Sequence, residues 1–327
     1  MSSLRELERR WVRVFSGRIT TMLAGMCFWA SLSAHGQSIN AVPNTRLDPG
    51  IVASRPASLH DVNSESDLVG PAKQPEWTTR RVFAETDIYV IPPGAIEFNQ
   101  FYVPTVPRSG TMEHAFESEL EFGLPWRTQF DVEPNYSVTN GRLRYDSTRV
   151  EIPHALANWN EIPLNPTIDG GWRVQTDEAD AFFFRLLLAE EFGPRVHFGA
   201  NLTYDRQVGD EHETSYEFSM ALSYVVKDSK LAVGMEALFE YETKQGDDPD
   251  EGSIHSTSAM IGPSLLYKPT RNTHVGLVTL FGVTHDAPAM QAFVLFGMDF
   301  EPFGGGKSGK GGDDHDAGGF QPVRRPR

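Results

Sequence analysis

The chain has 327 residues, a formal net charge of −15 and 39 % hydrophobic residues. This excess of acidic side chains argues against a nucleic-acid-binding surface, which would be basic. Beyond residue 36 the chain contains no run of about eighteen apolar residues that could form a membrane-spanning helix. The length could accommodate two ordinary domains, but the strand pattern described below fits one large barrel better.

Residues 1–36 have the pattern of an export signal. A basic leader precedes the short apolar core Thr21–Leu32, and Ala34-His35-Gly36 provides small residues at the positions of a cleavage site. We expect cleavage after Gly36. The mature chain would then have no cysteine, because Cys27 is the only one. An uncleaved N-terminal anchor and a lipidated Cys27 are the alternatives, although Met26 separates that cysteine from the small residues that precede it.

Residues 37–94 are rich in proline, serine, asparagine and aspartate and have no sustained apolar period. Low apolar content favours a disordered periplasmic linker. The alternative is an ordered plug inside a barrel lumen. Within this segment, Ile88–Ile91 is predicted as a short strand that ends before Pro92.

From residue 95 to residue 300 apolar and polar residues alternate with a period of two. In Val196–Tyr204 every even position is apolar and every odd position is polar or glycine, as in a sheet with lipid on one face and water on the other. The strands are longer than average soluble strands, and aromatic residues gather towards their ends. We predict an all-β, antiparallel transmembrane barrel of about twelve strands, 96–104, 113–123, 126–138, 144–153, 165–174, 180–189, 195–205, 214–226, 230–243, 254–267, 272–283 and 289–300.

The connections alternate between tight turns and longer polar loops, which places both ends of the barrel sequence in the periplasm. Prolines in 151–175 would each remove a ladder donor, so a break or a long turn is expected there. Pro134 and Pro263 fall within predicted strands. Because a closed barrel has no free edge, bulges or strand ends are expected near both.

Three features of the sequence resemble a known family. The segment Ile162–Thr167 (IPLNPT), the closing segment Leu280–Phe300 (LFGVTHDAPAMQAFVLFGMDF) and the hairpin spacing are similar to bacterial outer-membrane β-barrels of the porin or transporter type. Among these are barrels described as transporters of a phenol-degradation pathway. The resemblance covers roughly 95–300 and implies a Gram-negative outer membrane. It also implies that the barrel-insertion machinery reads Phe300, although 27 residues follow it here.

Residues 301–327 are rich in glycine and predict a disordered tail. Gly304–Lys310 matches the start of a phosphate-binding loop, but Gly311 replaces the required Ser or Thr and no amphipathic helix follows. The acidic group around His315, Asp313–Asp316, could bind a divalent cation weakly. Solvated charge is the simpler interpretation of that group.

Whether a residue occupies an odd or an even position in its strand, here called its parity, predicts which charged side chains point into the lumen. Acidic residues outnumber basic ones among them, which favours cations, although a water-filled interior is polar whatever its sign. The same parity turns apolar Leu238, Val278, Leu280, Phe293 and Leu295 inward, where they either line a path for hydrophobic molecules or reflect a slipped register. The candidate lumen-lining residues are Glu117, Glu119, Glu121, Arg127, Arg185, His197, Glu236, Glu240 and His274.

These features favour a pore or transporter for passive or facilitated passage of small solutes. A structural outer-membrane anchor without an open channel is the first alternative. A membrane-embedded hydrolase is the second, because Ser264 and His274 fall on neighbouring strands with inward parity. No nucleophile motif surrounds any serine, so we predict no enzyme, no catalytic residue, no cofactor and no metal site in the barrel. Outer-membrane lipid is the expected surrounding.

Overall fold

The computed structural model describes residues 64–209, 213–245 and 253–300. The predicted signal sequence, residues 37–63 and the tail 301–327 lie outside the described residues. No helical segment within the described ranges is long and apolar enough to cross a membrane. Twelve strands form a closed antiparallel barrel, β1 Ile96–Val106, β2 Glu113–Leu124, β3 Thr128–Thr139, β4 Arg142–Glu151, β5 Thr167–Gln175, β6 Ala181–Glu191, β7 Val196–Gln207, β8 Glu213–Lys227, β9 Leu231–Gln245, β10 Ser253–Thr270, β11 Thr273–Gly282 and β12 Met290–Phe300.

Each strand pairs with its neighbours in sequence, and β12 pairs with β1 to close the barrel. The predicted antiparallel barrel is therefore confirmed. Strand bounds differ from the prediction by a few residues, because turn geometry rather than apolar period decides where a strand ends. Ile96 and Phe300 lie opposite each other at one end, which we call the terminal end. The opposite end is called the loop end.

The outer wall of the barrel is apolar and the inner wall is mainly polar. Alternate residues such as Leu222, Met235 and Val294 are exposed on the outside, between 41 % and 48 % of their surface. Aromatic rings contact one another from strand to strand on this outer face near the loop end, as Tyr204, Tyr216 and Tyr241 do. Rings at this level are typical of a barrel that meets lipid headgroups there.

Two prolines, Pro134 and Pro263, interrupt the hydrogen-bonded ladders without ending their strands. Next to Pro134 the register between β3 and β4 shifts at Asn135 and Tyr136, so the bulge expected there is confirmed. At Pro263 itself the expected bulge or strand end is absent, because the β10–β11 register is the same on both sides of it, from Met260 to Tyr267; that ladder shifts register further on, between Tyr267 and Thr270. The β10–β11 ladder instead lacks pairing at Gly262 and Pro263, since proline has no N–H to donate.

The expected break in 151–175 is also present. β4 ends at Glu151 and β5 begins at Thr167, and only the two-residue bridge His154–Ala155 joins the sheet between them. The long turn lies at the terminal end, where its Trp159 packs against the segment described next.

Residues 64–95 lie inside the barrel at the terminal end, and we call them the plug. Their regular structure is a short ladder of Leu68–Val69 with Gln74–Pro75 and the 3-10 turn Glu76–Thr79. Ile88–Ile91 forms no strand, so that prediction is wrong; its side chains are buried in the plug instead. Gly199 of β7 allows this close approach, because a Cβ there would lie 2.9 Å from the Thr86 side chain.

The outward assignment of Phe218 and Phe239 gives a first prediction. The two residues pair directly across β8 and β9 on the outer face. Phe239→Arg should lower the free energy of unfolding by roughly 2–4 kcal/mol, because it places a charge in lipid near the bilayer midplane. Denaturant titration of the barrel in lipid vesicles measures this. Glu240→Arg is the control, since that side chain faces the lumen; equal losses for the two variants would contradict the assignment.

Candidate functional site

The plug enters at the terminal end, rises to the middle of the barrel and returns to start β1. Its first residues are tied to the rim by an ion pair of Glu65 with Lys268 and by the Glu65 N–H, which donates to Asp228 at 3.0 Å. Its last residues are tied to β3, where the Ile91 N–H donates to Gln129 at 2.7 Å. Both ends of the plug are thus fixed to the wall on the same side of the membrane.

An aromatic cluster forms the base of the plug. Trp77 is fully buried and stacks on His197 of β7 with 4.2 Å between ring centroids. Trp159 packs edge-on against Trp77 and Tyr89, and the Tyr89 hydroxyl donates to the Ala157 carbonyl at 2.6 Å. Burial raises the pKa of Tyr89 to about 12, so this phenol keeps its proton. Contacts of large rings such as these stabilise the base mainly by removing apolar surface from water.

The apex of the plug, residues 84–87, has a different chemistry. The N–H groups of Ala84 and Glu85 donate to the Glu236 carboxylate at 3.1 and 3.2 Å. Thr86 donates to Ser219 of β8 at 3.1 Å. Asp87 forms an ion pair with Arg185 of β6. The apex is therefore held to three strands mainly by polar contacts, and Ala84 also packs into an apolar cluster on the inner wall.

Above the apex a cavity of about 440 Å³ extends towards the loop end, and we call it the vestibule. Its floor is formed by Ala84 and Glu85, and its walls by strands from most of the circumference. Carboxylates outnumber guanidinium groups in its lining. The charged lining residues are Glu85, Glu117, Glu119, Glu133, Asp146, Asp205, Glu213, Glu217 and Glu240 against Arg81, Arg149, Arg173 and Arg185.

Three of the vestibule arginines lie on the adjacent strands β4, β5 and β6, the fourth is Arg81 of the plug, and all are paired. Arg149 and Arg173 face each other across β4 and β5. Arg149 contacts Glu133 at 2.9 Å, and Arg173 contacts Asp205 at 2.8 Å. Pairing leaves these cations with little net field in the cavity.

Besides the exposed Asp146, four carboxylates of the vestibule lack such cationic partners among the described residues. Glu217 and Glu240 lie opposite each other on β8 and β9, Glu117 comes from β2, and Glu85 from the apex. Burial raises the pKa of the Glu85 carboxyl well above its usual range, and the negative charges of Glu217 and Glu117 raise it further. Glu85 therefore takes up a proton readily, and the uncompensated negative field of the vestibule comes from Glu117, Glu217 and Glu240.

The nine predicted lumen residues fall into separate environments. Glu117 and Glu240 line the vestibule, whereas Glu119 and Glu121 are covered to 7 % and 6 % exposure. Glu119 also touches the vestibule and lies 3.6 Å from Arg81 of the plug. Glu236 binds the apex backbone, as described above.

The basic candidates are also divided. Arg185 binds Asp87 of the plug together with Glu151 and Asp169 of the wall. His197 stacks against the plug base, and His274 is fully buried beside Glu97 and Asp299.

The assignment of Arg127 to a lumen-facing strand position is wrong. β2 ends at Leu124 and β3 begins at Thr128, so Arg127 lies in the turn, with a φ of 57°. Its guanidinium donates to the Ala155 carbonyl at 3.1 Å, at the terminal rim. The parity count started two residues too early because Trp126 was included in the strand.

Sequence reasoning missed the charged residues of the plug. Arg81 pairs with Asp87 in the plug and lies near Glu119 of the wall. The only local signal was a pair of arginines followed by Asp87 within a proline-rich segment that was mainly interpreted as a linker. Arg149 was missed for a related reason, because β4 contains few apolar residues to fix its parity.

The inward apolar residues form a patch on the inner wall. Val278, Leu280, Phe293 and Leu295 are each 3 % exposed or less. Ala84 of the apex and Ala287 of the last loop pack into the same cluster, together with Phe101 and Val103 of β1, Met260 and the partly buried Leu238. The alternation of β11 and β12 is regular, so these positions face inward by parity and not by a slipped register.

The proposed hydrolase pair is not assembled. Ser264 lies directly opposite Val278, four residues further along β11 than His274. Four residues along a strand correspond to about 13 Å, beyond hydrogen-bond reach. This arrangement does not support a Ser–His site.

Comparison with known proteins finds one matching family model and solved structures of outer-membrane channels and porins. The family model described as "Putative MetA-pathway of phenol degradation" matches residues 181–298, from β6 to β12. No curated protein matches the chain significantly. An outer-membrane channel from Pseudomonas putida F1 aligns with a TM-score of 0.50 and 9 % identity over 67 % of this chain and 100 % of that one. The NanC porin aligns with a TM-score of 0.42 and 15 % identity over 62 % of this chain and 98 % of that one.

The fold is thus that of an outer-membrane β-barrel of the porin type. The family model covers about a third of the chain, which includes seven of the twelve strands. At 9 % identity, the similarity to the Pseudomonas channel is a similarity of fold.

Proposed function

We propose that this protein is a gated outer-membrane channel for small hydrophilic solutes, exported with a cleaved signal peptide. The observation that carries the proposal is the charged vestibule of about 440 Å³ that ends on the plug apex. Solutes enter the vestibule from the loop end, which faces the outside of the cell, and reach the periplasm when the apex moves.

The two parts of the plug differ in how easily they can move. The base is held by buried aromatic rings, whose separation would expose apolar surface to water. The apex is held by hydrogen bonds and ion pairs, which water can replace as they break. Opening therefore involves displacement of residues 84–87 while the base remains docked.

The net negative charge of the vestibule lining favours cations over anions. Its arginines are paired, and Glu117, Glu217 and Glu240 supply the remaining charge. A hydrophobic solute is the second candidate, supported by the inward apolar patch that Ala84 covers. A displaced apex would open the vestibule and the patch together, because Ala84 belongs to both.

A single substitution at the apex tests this gating. Asp87→Asn removes the ion pair with Arg185, a charge-assisted contact of about 1.5–3 kcal/mol, and should raise the open fraction roughly ten-fold or more. Single-channel recordings in planar bilayers measure the open fraction. Asp177→Asn is a matched control, because the ion pair of Asp177 with Arg144 lies exposed outside the vestibule lining.

The open fraction should therefore rise in Asp87→Asn and stay unchanged in Asp177→Asn. If neither the unmodified protein nor the Asp87→Asn variant forms channels, the structural anchor is favoured over the channel. An equal rise in both variants would show that the apex contact does not control opening.

A further inference from the structure

A second group of charged residues lies at the barrel's closure seam, below the vestibule. Glu97 of β1, His274 of β11 and Asp299 of β12 each place one donor atom within 4.8 Å of the others. Glu97 and Asp299 face each other directly across the pair that closes the barrel. His274 lies opposite Gly297, where a Cβ would meet the His274 Nε2 atom at 2.0 Å, so the missing side chain makes room for the imidazole.

Several buried polar atoms in this group have no hydrogen-bond partner within the described residues. They are Glu97 Oε2, both carboxylate oxygens of Asp299, both ring nitrogens of His274 and Asn99 Oδ1. The imidazole is 0 % exposed and lies 3.6 Å from Glu97 and 3.8 Å from Asp299, too far for hydrogen bonds. Buried polar atoms without partners are costly, and the convergence of carboxylate, amide and imidazole acceptors points to a cation among them.

The Asn99 side chain is oriented towards the same place. Its amide nitrogen donates to Glu119 and Glu121 at 3.3 and 3.1 Å, which leaves its oxygen facing Gly297. Because a Cβ on Gly297 would lie 2.6 Å from this oxygen and 2.0 Å from His274 Nε2, the two atoms are close neighbours. The group thus offers one imidazole nitrogen and three side chains with oxygen donors.

The local charge leaves room for a divalent cation. Glu76 of the plug takes ion pairs from Arg80 and Lys268, and Glu65 takes a second one from Lys268. Arg81 donates only its backbone N–H to Glu97, while its guanidinium pairs with Asp87. With a neutral imidazole, two cations face four carboxylates here, Arg80 and Lys268 against Glu65, Glu76, Glu97 and Asp299.

We propose that Glu97, His274 and Asp299, with Asn99 as a fourth oxygen donor, bind a divalent transition metal such as Zn²⁺. Imidazole with carboxylates is a donor set of such ions, with ligand distances of about 2.0–2.2 Å. One donor atom from each of the three residues lies within 4.8 Å of the others, so small side-chain rotations bring one imidazole nitrogen and both carboxylates to a common ion at that distance. The ion would neutralise the excess charge and join β1, β11 and β12 beside the plug.

Metal content of the refolded barrel tests the proposal. The full mature chain is unfolded, stripped with a chelator and refolded in detergent with Zn²⁺, because the site is buried and fills most readily during folding. After removal of free metal, elemental analysis should find about one zinc per chain. His274→Gln and Asp299→Asn should each lower this at least about five-fold, and Co²⁺ should give visible absorption bands that both variants lose.

Two controls separate this site from other imidazoles. His197→Gln changes a buried imidazole that stacks on Trp77, and His315→Ala changes the acidic tail; both should keep one zinc per chain. Electrophoretic mobility of unheated samples shows that each variant has folded. Zinc below about 0.1 per chain in the unmodified protein, or full zinc in folded His274→Gln and Asp299→Asn proteins, would overturn the proposal. The buried group would then be a network of protonated side chains without a metal.

Discussion

A disulfide between the plug apex and the wall should abolish conductance, and its reduction should restore it. Thr86 and Ser219 are the positions for the two cysteines, because their hydroxyl oxygens are 3.1 Å apart and both side chains are buried. Cys27 is the only natural cysteine and lies in the predicted signal peptide, so the mature double variant would contain one possible disulfide. The bond forms readily in an oxidising compartment such as the periplasm.

The size of this effect distinguishes gating from indirect modulation. If ions pass only when residues 84–87 leave the lumen, the oxidised Thr86→Cys/Ser219→Cys protein should show essentially no openings. Planar-bilayer recordings before and after a phosphine reductant measure this. The single variants Thr86→Cys and Ser219→Cys are the controls, and both should be insensitive to the reductant. Equal conductance in the oxidised and reduced double variant would show that solutes pass the plug without moving its apex.

Removing the two facing carboxylates of β8 and β9, Glu217 and Glu240, should reduce cation selectivity. Glu217 and Glu240 lie directly opposite each other and line the vestibule. A unit charge about 10 Å from a permeating ion contributes roughly 0.4 kcal/mol at the dielectric constant of water and about 1.7 kcal/mol at an effective value near 20. Glu217→Gln/Glu240→Gln should therefore lower the cation-to-anion permeability ratio at least about two-fold for each charge removed.

Reversal potentials under a salt gradient measure that ratio, and the difference should shrink as salt rises and screening increases. Glu236→Gln is an informative control. Because Glu236 accepts hydrogen bonds from the apex backbone, its substitution should change the open fraction more than the selectivity. Anion preference in the unmodified protein, or an unchanged reversal potential in the double variant, would contradict a cation-favouring vestibule.

The difference between Glu236 and Glu240 shows how much of the site could be read from the sequence. Both residues have inward parity on β9, and parity assigns them the same role. The structure gives them different ones, because the apex reaches the level of Glu236 but not that of Glu240. Parity specifies which face a side chain occupies; it carries no information about which other segment shares that face.

The sequence by itself determined the barrel. A period of two over twelve segments is a local property of each strand, because successive side chains point to opposite faces, and it predicts a sheet between lipid and water. Turn residues then order the strands, since neighbouring strands in a barrel are also neighbours in the chain. Arg127 marks the limit of this reasoning, because its local turn geometry makes β3 begin two residues later than the pattern suggested.

Only the tertiary structure decided what occupies the lumen. The plug has no repeating apolar period, and its partners lie far away in sequence, such as Ser219 for Thr86 and Arg185 for Asp87. Contacts of this kind are polar, irregular and specific to one three-dimensional arrangement. These contacts form only in the closed barrel, where the inner faces of its strands surround residues 64–95, so no local sequence pattern predicts them.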